Sequence, residues 1–340
     1  MTQRASSRRP LVAVLGASGF VGSAVIRELA RRPIRLRAVA RRPTPIPDDA
    51  RAETEVLSVD LTDPGALAAA VENADAVLHL VACIGGEATW RISDGDTLAE
   101  RVNVGLMEDL IDVLRTRTGQ GPPPAVVFAG TTLEVGLPDR TRIDGSERDA
   151  PQGVYGRQKL AAERALKRAT AEGVVRGVTL RLPTVFGQGP ESTVMDKGVV
   201  VTMVRRALAG EPLSMWHDGT VRRDLVYVDD AAGAFAAALD HVDALAGRHW
   251  LIGTGRGEGL GEVFTAIART VARHTGRPAV PVVSVEPPVE AEAVDFHSVE
   301  VDSTAFRSVT GWRPLVPLQE ALERTVTSLS PADARAVGPQ

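Results

Sequence analysis

The sequence predicts a doubly wound α/β fold, in which helices cover both faces of a parallel sheet. Short apolar runs alternate with helical patterns through about the first 183 residues, and the first run leads directly into a glycine-rich turn. Beyond that point the alternation fades, and proline, glycine and charged residues intervene. These observations are typical of a Rossmann-like sheet followed by a smaller C-terminal lobe.

Six apolar runs predict the strands of the sheet. They are rich in Val and Leu and nearly continuous, as strands covered on both faces must be, and they span residues 11–17, 34–40, 55–60, 76–82, 125–130 and 177–183. Helical patterns lie between them at residues 22–32, 66–74 and 163–172. Beyond residue 183 the pattern predicts a strand at 248–254 and a helix near 260–273, and residues 282–296 read as a long connection.

The shift in pattern divides the chain into two predicted units. At 340 residues the chain is long enough for one large domain or two coupled ones. We expect a dinucleotide-binding domain over residues 1–182, with 224–254 returning to it, and a substrate-binding lobe from 183–223 and 255–330. Residues 331–340 form a predicted C-terminal tail.

Composition excludes several classes of function. The formal net charge of −4 argues against a surface for nucleic acid or an anionic membrane. The single cysteine, Cys83, excludes an internal disulfide framework, and no Cys/His cluster has the spacing of a metal site. The N-terminal apolar run is short and interrupted by glycine, so it does not resemble a signal peptide, and no run approaches a membrane span. We expect a cytoplasmic protein without nucleic-acid, membrane or metal partners.

The first strand runs into "GASGFVG", with glycines at 16, 19 and 22. Gly16 allows a tight turn, Gly19 lets backbone N–H groups approach a pyrophosphate, and Gly22 allows the next helix to pack close to the sheet. The position between a first strand and an amphipathic helix is the one that a dinucleotide fingerprint requires. The predicted contacts to the pyrophosphate are Gly16, Ser18, Gly19, Phe20, Val21 and Gly22.

The end of the second strand favours NADPH over NADH. An NAD site usually has an acid there, which accepts a hydrogen bond from the ribose 2′-hydroxyl. This chain has Arg41 and Arg42 instead, and the nearest acids lie beyond three prolines. Guanidinium groups suit a 2′-phosphate, although arginine is common throughout the chain.

Tyr155 and Lys159 form a Y-x-x-x-K pair at the start of a predicted helix, so their side chains share a face. A phenol is a poor proton shuttle near neutrality, and a nearby ammonium pulls its pKa toward the working pH. The choice of lysine is notable because the chain has lysine only at 159, 167 and 197. The pair predicts a catalytic acid, Tyr155, tuned by Lys159, which can also reach a ribose hydroxyl.

Together, "GASGFVG", Tyr155 with Lys159, "FAGTTLEVG" and "RRDLVYVDDAA" resemble the extended short-chain dehydrogenase/reductase family, over about residues 10–328. The resemblance implies that Thr131 completes a catalytic triad with Tyr155 and Lys159, and that Thr132 shares in substrate binding. It also implies that Asn103 pins the neighbouring helix and that Arg223 meets the substrate pyrophosphate; the alternative for Arg223 is an ion pair with Asp224 or Asp229. The remaining residues that it assigns to the cofactor are Asp60 and Leu61 at the adenine, and Leu80, Val81, Ala82 and Pro183 along the sheet edge.

Departures from the family pattern narrow the implied reaction. Related dehydratases follow the catalytic Thr with an Asp-Glu pair, whereas this chain has Thr132 and Leu133, and strand alternation would turn Glu134 away from the sugar. Epimerases of the family keep a tightly held NAD, which the missing acid disfavours. The chain therefore resembles the NADPH-dependent 4-ketoreductases of deoxysugar and antibiotic biosynthesis, acting as a homodimer on a nucleotide-linked, dTDP-type 4-keto-6-deoxyhexose. A 4-epimerase, a dehydrogenase of a non-sugar alcohol and a non-catalytic dinucleotide-binding regulator stay open as alternatives.

Residues 83–100 form a long predicted loop after the fourth strand. Ligands of a doubly wound sheet lie outside the carboxyl ends of its strands, and loops of this length are often functional lids. With Gly85, Gly86 and Gly95 as hinges and Trp90 as an apolar contact, the loop is predicted to close over the sugar and exclude water.

Overall fold

The computed structural model of the chain describes residues 8–84, 92–117, 121–188, 196–216, 218–289 and 291–330. Its strands are β1 (Leu11–Leu15), β2 (Arg35–Ala40), β3 (Glu53–Ser58), β4 (Ala76–His79), β5 (Ala125–Thr131), β6 (Arg142–Ile143), β7 (Arg176–Leu182), β8 (Thr184–Phe186), β9 (Leu213–Trp216), β10 (Arg222–Tyr227), β11 (His249–Leu251), β12 (Gly257–Gly259), β13 (Val282–Val285) and β14 (Glu300–Val301).

The α-helices are α1 (Phe20–Ala30), α2 (Ala66–Val71), α3 (Thr97–Glu100), α4 (Leu106–Arg115), α5 (Val154–Ala171), α6 (Val199–Leu208), α7 (Val228–Asp240), α8 (Val242–Leu245), α9 (Leu260–Thr275), α10 (Ala293–Phe296), α11 (Thr304–Thr310) and α12 (Leu318–Leu329). A π-helical turn, Arg101–Gly105, precedes α4, and a 3₁₀ turn, Thr132–Glu134, follows β5.

Among the described residues, a seven-stranded sheet has the order β11-β7-β5-β4-β1-β2-β3, and its strand pairs are all parallel. The chain moves outward from β1 through β2 to β3 and then returns to the other side of β1 through β4. Strand order therefore reverses between β1 and β4, and the carboxyl ends of these two strands open a crevice there. The predicted Rossmann-like α/β fold is confirmed.

The first strand shows why the sheet needs cover on both faces. β1 is buried at every position, and its residues alternate between two apolar clusters. Val12 and Val14 join the larger cluster, which includes side chains of α1, α7 and the second lobe, whereas Ala13 and Leu15 join the cluster of α2, α4 and α5. Side chains of a strand alternate between faces, so a continuous apolar run has partners on both. The run at 55–60 does correspond to a strand, β3, but this strand lies at the sheet edge and is mostly exposed, whereas the sequence predicts cover on both faces.

The C-terminal part is more regular than the sequence predicts. α6, α9 and α12 pack against one another, and short strands form small sheets with the orders β12-β10-β8, β13-β9 and β14-β6. The prediction of a plain connection over 282–296 was wrong, since this segment contains β13 and α10. α7 packs against α1, and β11 pairs with β7, so these parts of 224–254 lie on the main sheet. The domain boundaries themselves stay a prediction.

None of the helices in the described ranges combines the length and apolar character that a membrane span requires.

Candidate active site

The glycine-rich turn forms a cradle at the carboxyl end of β1. Gly16 has a φ of +87°, and a Cβ there would lie 3.1 Å from the carbonyl carbon of Leu80 and the nitrogen of Val81. A Cβ on Gly22 would lie only 2.0 Å from the carbonyl oxygen of Gly16. These contacts bring the turn, the end of β4 and the first turn of α1 together, and only glycine fits at both positions.

The helix that follows presents an uncapped N-terminus. Gly19 is the N-cap of α1 and supplies no side-chain hydrogen bond, so the first N–H groups, from Phe20 onward, are available to an anion. Ser18 and Gly22 are buried in this turn, and Phe20 and Val21 are half-buried. The backbone here fits a dinucleotide pyrophosphate without any cationic side chain.

Arg41 and Arg42 lie immediately after β2, and both are exposed. Asp60 follows β3 and accepts hydrogen bonds from the Thr62 N–H (2.9 Å) and hydroxyl (2.7 Å). These bonds from Thr62 lower the pKa of Asp60, and the positive charge of Arg41 adds to the lowering. Arg41 therefore lies near the predicted adenine end, where Leu61 is buried beside Asp60.

Beyond β4 the chain runs along the carboxyl edge of the sheet. The Leu80 N–H donates to the carbonyl of Leu15 at 2.9 Å, Val81 is half-buried, and Ala82 is exposed. On the other side of the crevice, Pro183 follows β7, whose last residue, Leu182, pairs with Thr131. The predicted cofactor residues thus border one continuous edge.

Asn103 fixes this edge to the helix that carries Tyr155. Its amide accepts from the Cys83 N–H and donates to the Cys83 carbonyl, each at 2.8 Å, and also donates to Gln158 of α5 at 2.8 Å. The residue is buried and lies in the π-helical turn, an irregularity that is common at functional sites. The predicted role of pinning the neighbouring helix agrees with these contacts, and Gln158 is a partner that sequence reasoning missed.

Thr131 is the last residue of β5 and the N-cap of the 3₁₀ turn. Its hydroxyl accepts from the Leu133 N–H at 3.3 Å, and its own N–H donates to Glu134 at 2.8 Å. A Cβ on Gly156 would lie 2.8 Å from the carbonyl oxygen of Leu133, so the first turn of α5 packs directly on this 3₁₀ turn. Thr131, with the half-buried Thr132 beside it, thereby lies in the turn next to Tyr155.

Tyr155 is buried in a small apolar cluster with Ile92, Ala99, Cys83, Ile84 and Val154. Burial raises the pKa of Tyr155, and the negative charge that Glu134 gains when it ionises raises it further. The prediction that Lys159 lowers the pKa of Tyr155 differs from the structure, in which burial dominates. Ile92 and Ala99 come from the predicted loop over 83–100, so part of that loop does reach Tyr155.

Lys159 is also buried, with its Nζ 4.0 Å from the centre of the Phe128 ring. Burial lowers the pKa of Lys159 to about 8, although the charge of Glu134 opposes the shift. His79 packs edge-on against Phe128 with ring centres 5.5 Å apart, and burial, with the charge of Lys159, lowers its pKa to about 3. The imidazole is therefore neutral, and Lys159 follows Tyr155 by one turn of α5.

Arg223, a predicted substrate contact, bonds to backbone carbonyls. The Arg223 guanidinium donates to the backbone carbonyls of Val294 (3.0 Å), Asp295 (2.7 Å) and His297, and to that of Arg222 (3.1 Å). It holds the segment around α10, while Asp224 and Asp229 bond to other partners. Trp90, Gly85 and Gly86 lie outside the described residues, so the flap over the sugar stays a prediction.

Comparison with known proteins shows the family of the chain. Residues 12–253 match the model of the NAD dependent epimerase/dehydratase family. A dTDP-L-rhamnose 4-epimerase of Burkholderia thailandensis is 26% identical over 94% of this chain and 93% of its own length. A dTDP-6-deoxy-L-talose 4-dehydrogenase (NAD(P)(+)) of Kitasatospora kifunensis is 29% identical over 94% of this chain and 96% of its own. The solved structure of MoeE5 in complex with UDP-glucose and NAD superposes with a TM-score of 0.76, at 26% identity, and covers 94% of this chain and 98% of that one.

Proposed function

Because this chain belongs to the NAD-dependent epimerase/dehydratase family, we propose that it is an NADPH-dependent 4-ketoreductase acting on a nucleotide-linked 4-keto-6-deoxyhexose. The observation that carries the proposal is the pair Arg41 and Arg42 after β2, where an enzyme with a permanently held NAD would usually have an acid. A dTDP-linked sugar is the first candidate substrate, since the two relatives described above are named for reactions at position 4 of dTDP-linked sugars.

The cradle of Gly16, Gly19 and Gly22 would hold the pyrophosphate against the N-terminus of α1. The guanidinium groups of Arg41 and Arg42 would bind the 2′-phosphate through charge-assisted hydrogen bonds, which a 2′-hydroxyl cannot match. When bound, the nicotinamide would supply the hydride for reduction of the keto carbon.

The proton is the task of the protein side chains. Tyr155 would donate its phenolic proton to the oxygen at C4 as charge develops there, and Thr131 would orient that oxygen with its hydroxyl. Lys159 is a buried cation on the same face of α5, and it stabilises the phenolate that donation leaves behind. The apolar cluster around Tyr155 would keep water away from this proton.

Elimination of water from the sugar is disfavoured by the residues after Thr131. Thr132 and Leu133 cannot exchange protons with the sugar carbons near neutrality. Glu134 is the nearest acid, and it is fully buried beside Arg181 at 3.0 Å. A carboxyl held in this way would not reach the sugar.

A 4-epimerase is the second candidate, and the full-length match to a dTDP-L-rhamnose 4-epimerase favours it. Such an enzyme would use the same Tyr155 and Lys159 but would oxidise and reduce C4 within one cycle, on a cofactor that does not exchange. The two candidates therefore differ in whether NADPH is consumed.

One experiment separates them. The purified protein is denatured and the released nucleotide identified, and a second sample is incubated with NADPH and a dTDP-4-keto-6-deoxyhexose. Reduction predicts little bound NAD and one NADPH consumed for each hydroxyl formed. A third sample is incubated with a dTDP-6-deoxyhexose that carries a hydroxyl at C4, without NADPH. Stoichiometric bound NAD with interconversion of the two C4 epimers in this sample, and no NADPH consumption in the second, would establish the epimerase. The homodimeric state and the cytoplasmic location expected for this protein stay predictions.

A further inference from the structure

Two buried carboxyl groups, those of Glu134 and Glu163, meet at one guanidinium. Arg181 is fully buried, and its Nε lies 3.0 Å from Oε2 of Glu134 and 3.0 Å from Oε2 of Glu163. The Nε hydrogen points to Glu163, so the two buried carboxyl groups meet at one nitrogen that donates to only one of them. Two buried carboxyl groups this close to one cation repel each other when both are ionised, which favours a state in which one of them keeps its proton.

Glu134 is the one that holds the proton. Its Oε1 accepts the Thr131 N–H at 2.8 Å, but its Oε2 receives no N–H or O–H hydrogen bond from the described residues. Burial raises the pKa of Glu134, and the charge of Glu163 raises it further. A protonated Oε2 would donate to Glu163 and so remove the only unpaired oxygen of this carboxyl.

Glu163 keeps the negative charge because cations and donors surround it. Arg181 donates to both of its oxygens, at 3.0 and 2.8 Å, and Lys167 donates to Oε1 at 2.7 Å. Burial alone would raise the pKa of Glu163, but the hydrogen bonds from His249 and Arg181 outweigh it and hold the pKa well below its usual range. The proton therefore has one preferred position within the pair.

We infer that Glu134 and Glu163 share a single proton near neutral pH, and that Glu134, in its protonated form, is a positioning residue for Thr131 and Tyr155. The Oε1 of Glu134 accepts the N–H of Thr131 at the end of β5. Because Glu134 is protonated, it adds no negative charge near the Tyr155 phenol beyond that of Glu163. The shared proton rests on the meeting of two buried carboxyl groups at one guanidinium, whereas its effect on catalysis rests on the proposed function.

The direction of the pH effect follows from the groups around the pair. These are the charged and titratable side chains of β7, α5, β11 and the loop before α5, namely Arg181, Tyr155, Lys159, Lys167, His249 and Asp149. Loss of the shared proton at alkaline pH would make Glu134 an anion. That charge raises the pKa of Tyr155. The phenol is then a weaker acid when the sugar is reduced, and its phenolate is harder to form when the sugar is oxidised. Turnover should fall as the proton leaves.

The shared proton is tested without any substrate by infrared spectroscopy of protein labelled with ¹³C-carboxyl glutamate. Burial raises the pKa of Asp196 to about 6, so at mildly alkaline pH this carboxyl is ionised and gives no band of a protonated acid. At that pH the wild type should show the ¹³C-shifted carbonyl stretch of a protonated glutamate. Glu134→Gln should lose this band. Glu172→Gln, at the exposed end of α5 where Glu172 pairs with Arg115 at 2.7 Å, should keep it. A folded wild type without the band would overturn the inference, whatever reaction the enzyme catalyses.

The positioning role is tested by the pH dependence of kcat in wild type, Glu134→Gln and the control Glu172→Gln. Glutamine keeps an acceptor for Thr131 and a donor for Glu163 but has no proton to lose. The alkaline decline of kcat should therefore move by about one pH unit or more in Glu134→Gln, a tenfold change in the underlying equilibrium, and not in Glu172→Gln. Coincident pH profiles would overturn the role. Absence of turnover in the wild type would count against the proposed function and leave the infrared result standing.

Discussion

The ammonium of Lys159 lies 4.0 Å from the centre of the Phe128 ring, and only 1% of the surface of Lys159 is exposed. A cation over an aromatic face gains some electrostatic energy, but less than full hydration provides. Burial of the Lys159 charge, which the proposed chemistry needs, therefore lowers the free energy of unfolding.

This arrangement predicts that Lys159→Met is more stable than the wild type but inactive. The ordinary pKa of 10.5 falls to about 8 in the folded protein, so the cost of burying the charge is fully present below pH 8. It disappears as pH rises from about 8 to about 10.5, because the unfolded chain then holds a proton that the folded chain has lost. Urea unfolding of the ligand-free proteins should show the variant about 1–3 kcal/mol more stable at neutral pH. The difference should shrink at higher pH; a constant difference would contradict the assignment.

Tyr155→Phe should reduce turnover by roughly 10²–10⁴, the usual contribution of a general acid, while the affinity for NADPH stays nearly unchanged. The ring still fills the apolar cluster with Ile92 and Ala99, so the fold should be retained. Stopped-flow turnover and fluorescence titration with NADPH measure the two quantities. Near-normal turnover in the Phe variant would remove Tyr155 from the chemistry.

The double variant Arg41→Ala, Arg42→Ala should lose the preference for NADPH over NADH. Each charge-assisted hydrogen bond to the 2′-phosphate is worth roughly 1.5–3 kcal/mol, so kcat/KM for NADPH should fall by at least tenfold while that for NADH changes little. Arg31→Ala, which removes an exposed arginine at the far end of α1, is the matched control. A wild-type enzyme that uses both cofactors equally well would refute the assignment.

Gly22→Ala should abolish dinucleotide binding, because the new Cβ would lie 2.0 Å from the carbonyl oxygen of Gly16. Relief of this overlap moves α1 away from the turn and removes its N–H groups from the pyrophosphate. Gly121→Ala is the control, since its Cβ would have no neighbour within 4 Å. Calorimetric titration with NADPH compares the two variants, and unimpaired binding to Gly22→Ala would show that the cradle is not the phosphate site.

The sequence was most informative where burial alone determines structure. The runs at 11–17 and 125–130 correspond to β1 and β5, since strands covered on both faces must be continuously apolar. The short strands of the second lobe, such as β12 with the sequence Gly-Glu-Gly, have no such signature, because their pairing with distant strands defines them.

In the site, local motifs were predictable and their surroundings were not. The position of Tyr155 and Lys159 on one face of a helix follows from their spacing, but the burial that dominates their pKa values depends on Ile92 and Phe128 from other elements. Glu134 was expected to turn away from the sugar by strand alternation. It does point into the protein, but it lies in a 3₁₀ turn and bonds to a strand partner, Arg181, that only the folded sheet brings near.

Transfer of deuterium from the cofactor to the sugar distinguishes net reduction from epimerisation. The enzyme is incubated with NADPH deuterated at the transferred position of the nicotinamide and with a dTDP-4-keto-6-deoxyhexose, and the product is examined by NMR. Net reduction predicts one deuterium at C4 of the sugar and one NADP⁺ for each product molecule. Product that contains no deuterium at C4, formed without NADP⁺, would contradict the account.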